Sequence, residues 1–259
     1  MHRKITRMIE LNERHERRLS WDGCINARDL GGFTTGDGKR TRRGALVRME
    51  NPGHLTVEGL QAMQAHGVTT VIDLRYPMEI SRYPQLADAI KDAESSLLVV
   101  SIPLLDEANQ PDDDAAFARS RDEWHQRVLD IRGATLATVL RTIADAEPGA
   151  VAIHCAAGKD RTGIVAALLL DLAGVSRDEI VADYALSEHW LLPRTEEWLT
   201  HMDAVQRAHV HGLMATPPEY MRFALDHVNA QHGGTERYFR AIGLTDEEIG
   251  ALRARLVEG

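Results

Sequence analysis

The chain predicts an α/β fold: a central, mostly parallel sheet flanked by helices. Three observations carry this. Short apolar, β-branched runs (TTVIDLR, LLVVSIPLL, AVAIH) have the length and composition of buried strands. Helical patterns with recognisable starts and stops separate and follow them. The 259 residues are 44% hydrophobic and 27% charged, enough for one sizeable core, with no repeat and no low-complexity linker. A single domain over residues 1–259 is expected.

In chain order, residues 18–48 are rich in glycine and turn residues (GCINARDLGG, TTGDGKR), with ALVRM as a strand candidate. LTVEGLQAMQAHG has helical spacing, with Leu60 and Met63 inward and Gly67 as its stop. TTVIDLR then reads as a buried strand ending at Asp73, Leu74 and Arg75, and LLVVSIPLL as a second buried strand. Residues 106–148 begin acidic and loop-like (DEANQPDDD) and continue as two helices split near Gly133, with Phe117, Trp124, Val128 and Ile131 on the first. This stretch is a candidate helical lid, with an ordinary surface crossover as the equal alternative. AVAIH is a short strand, and Thr162 to Leu172 an almost wholly apolar, hence buried, helix. Ser176 with Glu179 predicts a capping box, Thr216 with Pro217 opens a helix bearing Met221, Ala224, Leu225 and Val228 on one face, and Gly233 and Gly234 stop it. Thr245 with Glu248 caps the last helix.

Composition excludes several function classes. A net charge of -9 leaves no basic stripe for nucleic acid. No apolar run reaches the roughly 18 residues of a membrane span. The basic start, HRKITRMIELNERHERR, also carries glutamates and lacks a signal-peptide core. Two cysteines make no disulfide framework, so both are expected as reduced thiols in a cytoplasmic protein, with export by a route without a signal peptide left open. The chain is expected to be a monomer or weak dimer, and Cys24 to be inert.

The chemistry concentrates in HCAAGKDRTG, His154 to Gly163, between a strand and a helix. Ala156, Ala157 and Gly158 put little side chain between backbone and ligand, so successive N–H groups can face inward at the positive end of the following helix. Such a nest suits a tetrahedral dianion, and Arg161 adds a planar fork for two of its oxygens. The dipoles that attract phosphate also favour a thiolate, so Cys155 becomes a nucleophile aimed at phosphorus. His154 is expected to fix the loop rather than act as a base, Thr162 to offer its hydroxyl to the sulfur, and Lys159 to add charge at the rim. Other loop chemistries fail on residue identity. A nucleotide P-loop needs Gly at Ile153 and Ser or Thr at Asp160, a redox pair needs a second cysteine at Gly158, and a zinc site needs more ligands.

These residues resemble a known family. His154, Cys155, Gly158, Arg161 and Thr162 reproduce the Cys-x5-Arg signature, and the longer HCxxGKDRTG form, with NARDLGG at Asn26 to Gly32, Arg48, DLR at Asp73 to Arg75 and DYALSE, is similar to the bacterial tyrosine/serine protein phosphatases. The resemblance implies a protein tyrosine phosphatase-like fold and cofactor-free hydrolysis of phosphotyrosine. Phosphoserine, phosphothreonine and phosphoinositides are further substrates it suggests. On that reading Cys155, Arg161 and Asp73 are catalytic, and Ala156 through Arg161 bind substrate. Asp73 is the family-like acid, a structural ion pair with an arginine being its alternative. Asp160 could position water, and Asp106 or Asp112 to Asp114 could serve if the lid closes. The chain departs from the family in reading Arg48, Met49, Glu50 where Arg-Ser-Gly is common, and it lacks a second-loop glutamine pair. A rhodanese-like sulfurtransferase and a phosphate-binding pseudophosphatase module are the rivals. Asn26, Arg28 and Asp29 are expected to form a hydrogen-bonded turn, and His201, His209 and His211 a surface group rather than a metal site.

Overall fold

The computed structural model describes residues 16–82, 97–105 and 120–259. Five strands form one sheet: β1 (Arg28–Asp29), β2 (Leu46–Met49), β3 (Val68–Asp73), β4 (Leu98–Ser101) and β5 (Ala150–His154). Their order is β1-β2-β5-β3-β4, with β1 antiparallel to β2 and all other pairs parallel. The expected mostly parallel sheet is therefore present, and AVAIH is its central strand, buried at all five residues.

Around the sheet lie helices α1 (Val57–Ala65), α2 (Pro77–Arg82), α3 (Arg121–Ile131), α4 (Gly133–Ala144), α5 (Asp160–Leu172), α6 (Arg177–Leu199), α7 (Ala204–Met214), α8 (Pro218–His232), α9 (Thr235–Ala241) and α10 (Asp246–Leu256). One apolar layer joins Leu60 and Met63 of α1 to Val47, Val71 and Ala152 on one face of the sheet. The larger layer, on the other face, centres on α5 and takes in α3, α4, α8, α9 and α10. Eleven of the thirteen α5 residues are buried, which is what its unbroken apolar sequence requires.

Several sequence expectations change in detail. LLVVSIPLL does not give a buried strand: β4 is a sheet edge, with Leu98 56% and Val99 37% exposed, and burial resumes only at Ile102, Leu104 and Leu105 beyond it. Of the proposed lid, residues 106–119, with Asp106, Asp112 to Asp114 and Phe117, lie outside the described residues. In the remainder, Trp124, Val128 and Leu129 of α3 and Leu136, Val139, Leu140 and Ile143 of α4 are buried in the main core. Ile131 faces solvent instead. Ser176 caps α6 through the Glu179 amide, but the Glu179 carboxylate turns to the Ser176 hydroxyl rather than completing a capping box. Thr216 does not cap α8; its hydroxyl donates to the Ala185 carbonyl and accepts from the Glu188 amide, tying α8 to α6. Thr245 and Glu248 do form the expected box, and Gly233 takes the left-handed conformation (φ 74°) that ends α8. Among the described residues no helix is long and apolar enough to cross a membrane.

Candidate active site

β5 lies between β2 and β3 and delivers residues 155–159 to the carboxyl edge of the sheet, where open parallel sheets place their sites. Local geometry follows from one glycine. Gly158 has φ +68°, and a Cβ there would sit 2.2 Å from the Met49 carbonyl oxygen, so any side chain would collide with the end of β2.

Four consecutive loop carbonyls are held from outside. The Asn51 amide donates to Ala156 O (3.1 Å), and Asn26 Nδ2 to Ala157 O (2.9 Å). Arg48 Nη2 donates to both Gly158 O (2.9 Å) and Lys159 O (3.2 Å). The planes that carry these oxygens outward carry the N–H groups of Ala157, Gly158, Lys159 and Asp160 inward, and among the described residues no backbone carbonyl accepts from the amides of Ala156, Ala157 or Gly158. At the base of this nest is Cys155, only 3% exposed.

The flanking side chains are fixed by charge. Arg161 forks onto Glu79 of α2, with Nη1 to Oε2 at 2.5 Å and Nη2 to Oε1 at 2.7 Å, and its guanidinium lies 5.5 Å from the Tyr76 ring centre. Burial opposes the Arg161 charge, but the Glu79 hydrogen bond and the charges of Cys155, Glu79 and Tyr76 together raise the guanidinium above its ordinary range. Burial pushes His154 down to about 4, leaving a neutral ring whose Nδ1 meets the Cys155 carbonyl at 3.1 Å. Thr162 is fully buried, and its hydroxyl has no hydrogen-bond partner among the described residues, the Cys155 sulfur included.

One expectation needs correction, and for Asp73 the structure shows the ion pair that is its alternative reading. Lys159 is not a rim cation: it is 4% exposed, with Nζ 2.6 Å from Asp160 Oδ2. Asp73 lies in an ion pair with Arg75. It takes Arg75 Nε at 2.9 and 3.0 Å, Arg75 Nη2 at 2.6 Å and the Arg75 amide at 2.9 Å, and faces His154 Nε2 at 3.7 Å. Burial would raise it, but the Arg75 hydrogen bonds together with the charges of His154 and Arg75 hold it below the usual carboxylate range. Asp160 behaves similarly: burial is overcome by Lys159, and the Tyr184 hydroxyl donates to its Oδ1 at 3.1 Å.

Asn26 and Arg28 form neither a pocket wall nor a simple turn; they belong to the loop's outer anchorage. Asp29 does make the turn, accepting from the Gly31 and Gly44 amides. Cys24 is a buried free thiol, pushed up by burial. His211 meets Glu196 at 3.4 Å, and no group of residues suited to a metal occurs among the described residues. Sequence reasoning missed Glu79, Glu50, Asp183 and Arg194. DYALSE flagged Asp183 as part of a motif without giving it a partner, and an acidic residue in a short helix gives no signal for Glu79.

Comparison with known proteins completes the picture. A chain from Nostoc commune named tyrosine-protein phosphatase is 33% identical over 225 residues, covering 82% of this chain and 74% of that one. The triple specificity protein phosphatase PtpB of Mycobacterium tuberculosis is 28% identical over an alignment of 277 residues, covering 91% of this chain and 97% of that one. The solved structure of P. aeruginosa TpbA aligns with a TM-score of 0.39 at 18% identity, over 77% of this chain and 86% of that chain. The model of the tyrosine phosphatase family matches residues 19–258, so the cradle at the end of β5 belongs to a member of the tyrosine phosphatase family.

Proposed function

We propose that the protein hydrolyses phosphotyrosine in two steps through a phosphocysteine at Cys155. The observation that carries this reading is the loop's four outward carbonyls, which leave inward amides around a buried cysteine. In the first step the Cys155 thiolate forms an S–P bond as the P–O bond to the tyrosine breaks. In the second, water attacks phosphorus, the S–P bond breaks, and phosphate leaves with the thiolate restored. The amides from Ala156 to Arg161, with the Arg161 fork held ready by Glu79, stabilise charge on the equatorial oxygens. No metal enters either step.

The leaving oxygen needs a proton, and the resting site keeps Asp73, Glu79 and Asp160 ionised. A bound dianion raises the affinity of a neighbouring carboxylate for protons. We assign Asp160, in the loop beside Arg161 and paired with Lys159, the role of acid and later of water activator. Asp73 then serves as a positioning group that fixes Arg75 and faces His154. Phosphoserine, phosphothreonine and phosphoinositides are secondary substrates in this proposal, supported by the relative named for triple specificity. A thiolate mechanism suits a reducing compartment, and we place the enzyme in the cytoplasm.

The test is hydrolysis of a phosphotyrosine peptide, a phosphoserine peptide and a phosphoinositide in EDTA by wild type, Cys155→Ser, Asp160→Asn and Asp73→Asn. Turnover undiminished by EDTA and reduced at least about 10³-fold in Cys155→Ser is expected. Asp160→Asn should lose more on phosphotyrosine than on an aryl phosphate with an acidic leaving group, while Asp73→Asn should slow both equally. Absence of turnover on all three substrates would overturn the proposal, and tight phosphopeptide binding in that case would identify a binding module. Thiosulfate turnover would identify a sulfurtransferase.

A further inference from the structure

We infer that helix α6 is the positioning element of the phosphate loop, with Asp183 and Arg194 as its two positioning residues. The inference rests on the phosphate-binding part of the proposed function. Asp183 and Arg194 are eleven positions apart, about three helical turns and roughly 16 Å, so they project from nearly the same side of α6.

Asp183 carries the first half of the anchorage. Its Oδ1 accepts from Arg28 Nε at 2.9 Å and its Oδ2 from Arg48 Nη1 at 2.8 Å. Its own carbonyl accepts from Arg28 Nη2 at 2.9 Å, and Ser187, one turn on, accepts from Arg28 Nη2 at 3.0 Å. With Nη1 committed to Asp183, Arg48 presents Nη2 to the Gly158 and Lys159 carbonyls. Arg28 in turn donates through Nη1 to Asn26 Oδ1 at 2.7 Å, which leaves Asn26 Nδ2 aimed at Ala157 O. Two guanidinium groups thus share one carboxylate, with side chains of all three no more than 1% exposed.

Arg194 carries the second half. Its Nη1 meets Glu50 Oε1 at 2.5 Å, and its Nη2 donates to Gly23 O at 2.9 Å. Glu50 accepts the Ile25 amide at 3.0 Å and the Asn26 amide at 2.9 Å, so it sets the backbone from which Asn26 reaches the loop. The next residue, Asn51, supplies the amide that holds Ala156 O. Arg28, Arg48 and Glu50 each meet an opposite charge on α6. A buried charge without its partner relaxes toward water or toward the dipoles it already meets: Arg28 and Arg48 would pull on the Asn26, Gly158 and Lys159 carbonyls, and Glu50 on the Ile25 and Asn26 amides. Loss of either α6 residue should therefore rotate loop amides out of line.

The experiment compares Asp183→Asn, Arg194→Gln, Arg194→Lys and Ser187→Ala with wild type. Tungstate, a phosphate-shaped dianion, is titrated by calorimetry, kcat and KM are measured on a phosphotyrosine peptide, and cooperative unfolding confirms the fold. Asp183→Asn and Arg194→Gln should bind tungstate at least about tenfold more weakly and lose about 10²-fold in kcat, as misaligned catalytic dipoles do. Arg194→Lys, which keeps the charge on Glu50, should recover most of both. Folded Asp183→Asn and Arg194→Gln proteins that match wild type in tungstate affinity and kcat would overturn the inference. If Asp183→Asn does not fold, the partly accessible Arg194 pair decides it alone. Wild type that binds tungstate but hydrolyses nothing overturns the hydrolysis reading only, since the tungstate comparison still reads the loop. Wild type that binds no tungstate overturns both.

Discussion

Helices α5 and α6 follow one another in the chain and both serve the loop, yet they are held by opposite means. α5 grows directly from the loop and is buried by apolar contact along its length, from Ile164 to Leu172. α6 buries polar groups as well, Asp183, Ser187 and Thr195 among them, and reaches the loop through ion pairs. Apolar packing fixes where the loop starts but is indifferent to how its peptide planes are turned. Directional bonds from charged groups decide the turning. Position and orientation of one site thus come from two physically different supports.

That contrast can be broken at either support. The largest effect is expected for Asp183→Ala, which strands two buried arginines: about 4 kcal/mol of stability lost in denaturant unfolding, with activity falling beyond what the unfolded fraction explains. Leu169→Ala, at a fully buried α5 position, should cost about 3 kcal/mol through its cavity. There, activity per folded molecule should stay near wild type, and a fall comparable to that of Asp183→Ala would dissolve the distinction. Acid separates the two sides as well. Burial holds native His154 near 4 against an ordinary 6.5, so the unfolded chain takes up that proton first, and stability should drop by about 3 kcal/mol as pH falls from 6.5 to 4. His154→Gln should flatten this window. On the α6 side, burial is outweighed by Arg28 and Arg48, which hold Asp183 down to about 2, so its contribution should persist until pH falls from 3.8 toward 2. The smallest change, about 1 kcal/mol, is expected for Ser187→Ala, which removes one neutral acceptor from Arg28.

The α5 support was legible in the sequence, and the α6 support was not. An unbroken apolar run after a small-residue loop announces a buried helix, and the spacing from Cys155 to Arg161 announces an anion site, because both are local patterns. Lys159 shows the limit: a lysine beside a glycine looks exposed until Asp160 is seen to neutralise it indoors. Asp73 carries both of its possible readings in the sequence, and only the structure shows how closely Arg75, two residues on, holds it. β4 looked buried because an apolar run does not reveal whether a strand has a neighbour on each side. Thr216 has the form of a cap, but its hydroxyl found a better acceptor on another helix. Arg28 and Asp183 are both visible as charged residues in motifs, and nothing local says that they meet.

The four pinned carbonyls have a consequence for how the protein comes to be. Arg28 and Asp183 meet across 155 residues, Arg194 and Glu50 across 144, and Asn26 and Ala157 across 131. Contacts of such sequence separation form late, because the chain between them must first be gathered. On a ribosome, Cys155 emerges before the helix that carries Asp183 and Arg194. A nascent chain therefore carries Cys155 before the contacts that pin its loop can form, and those contacts need α6 in place.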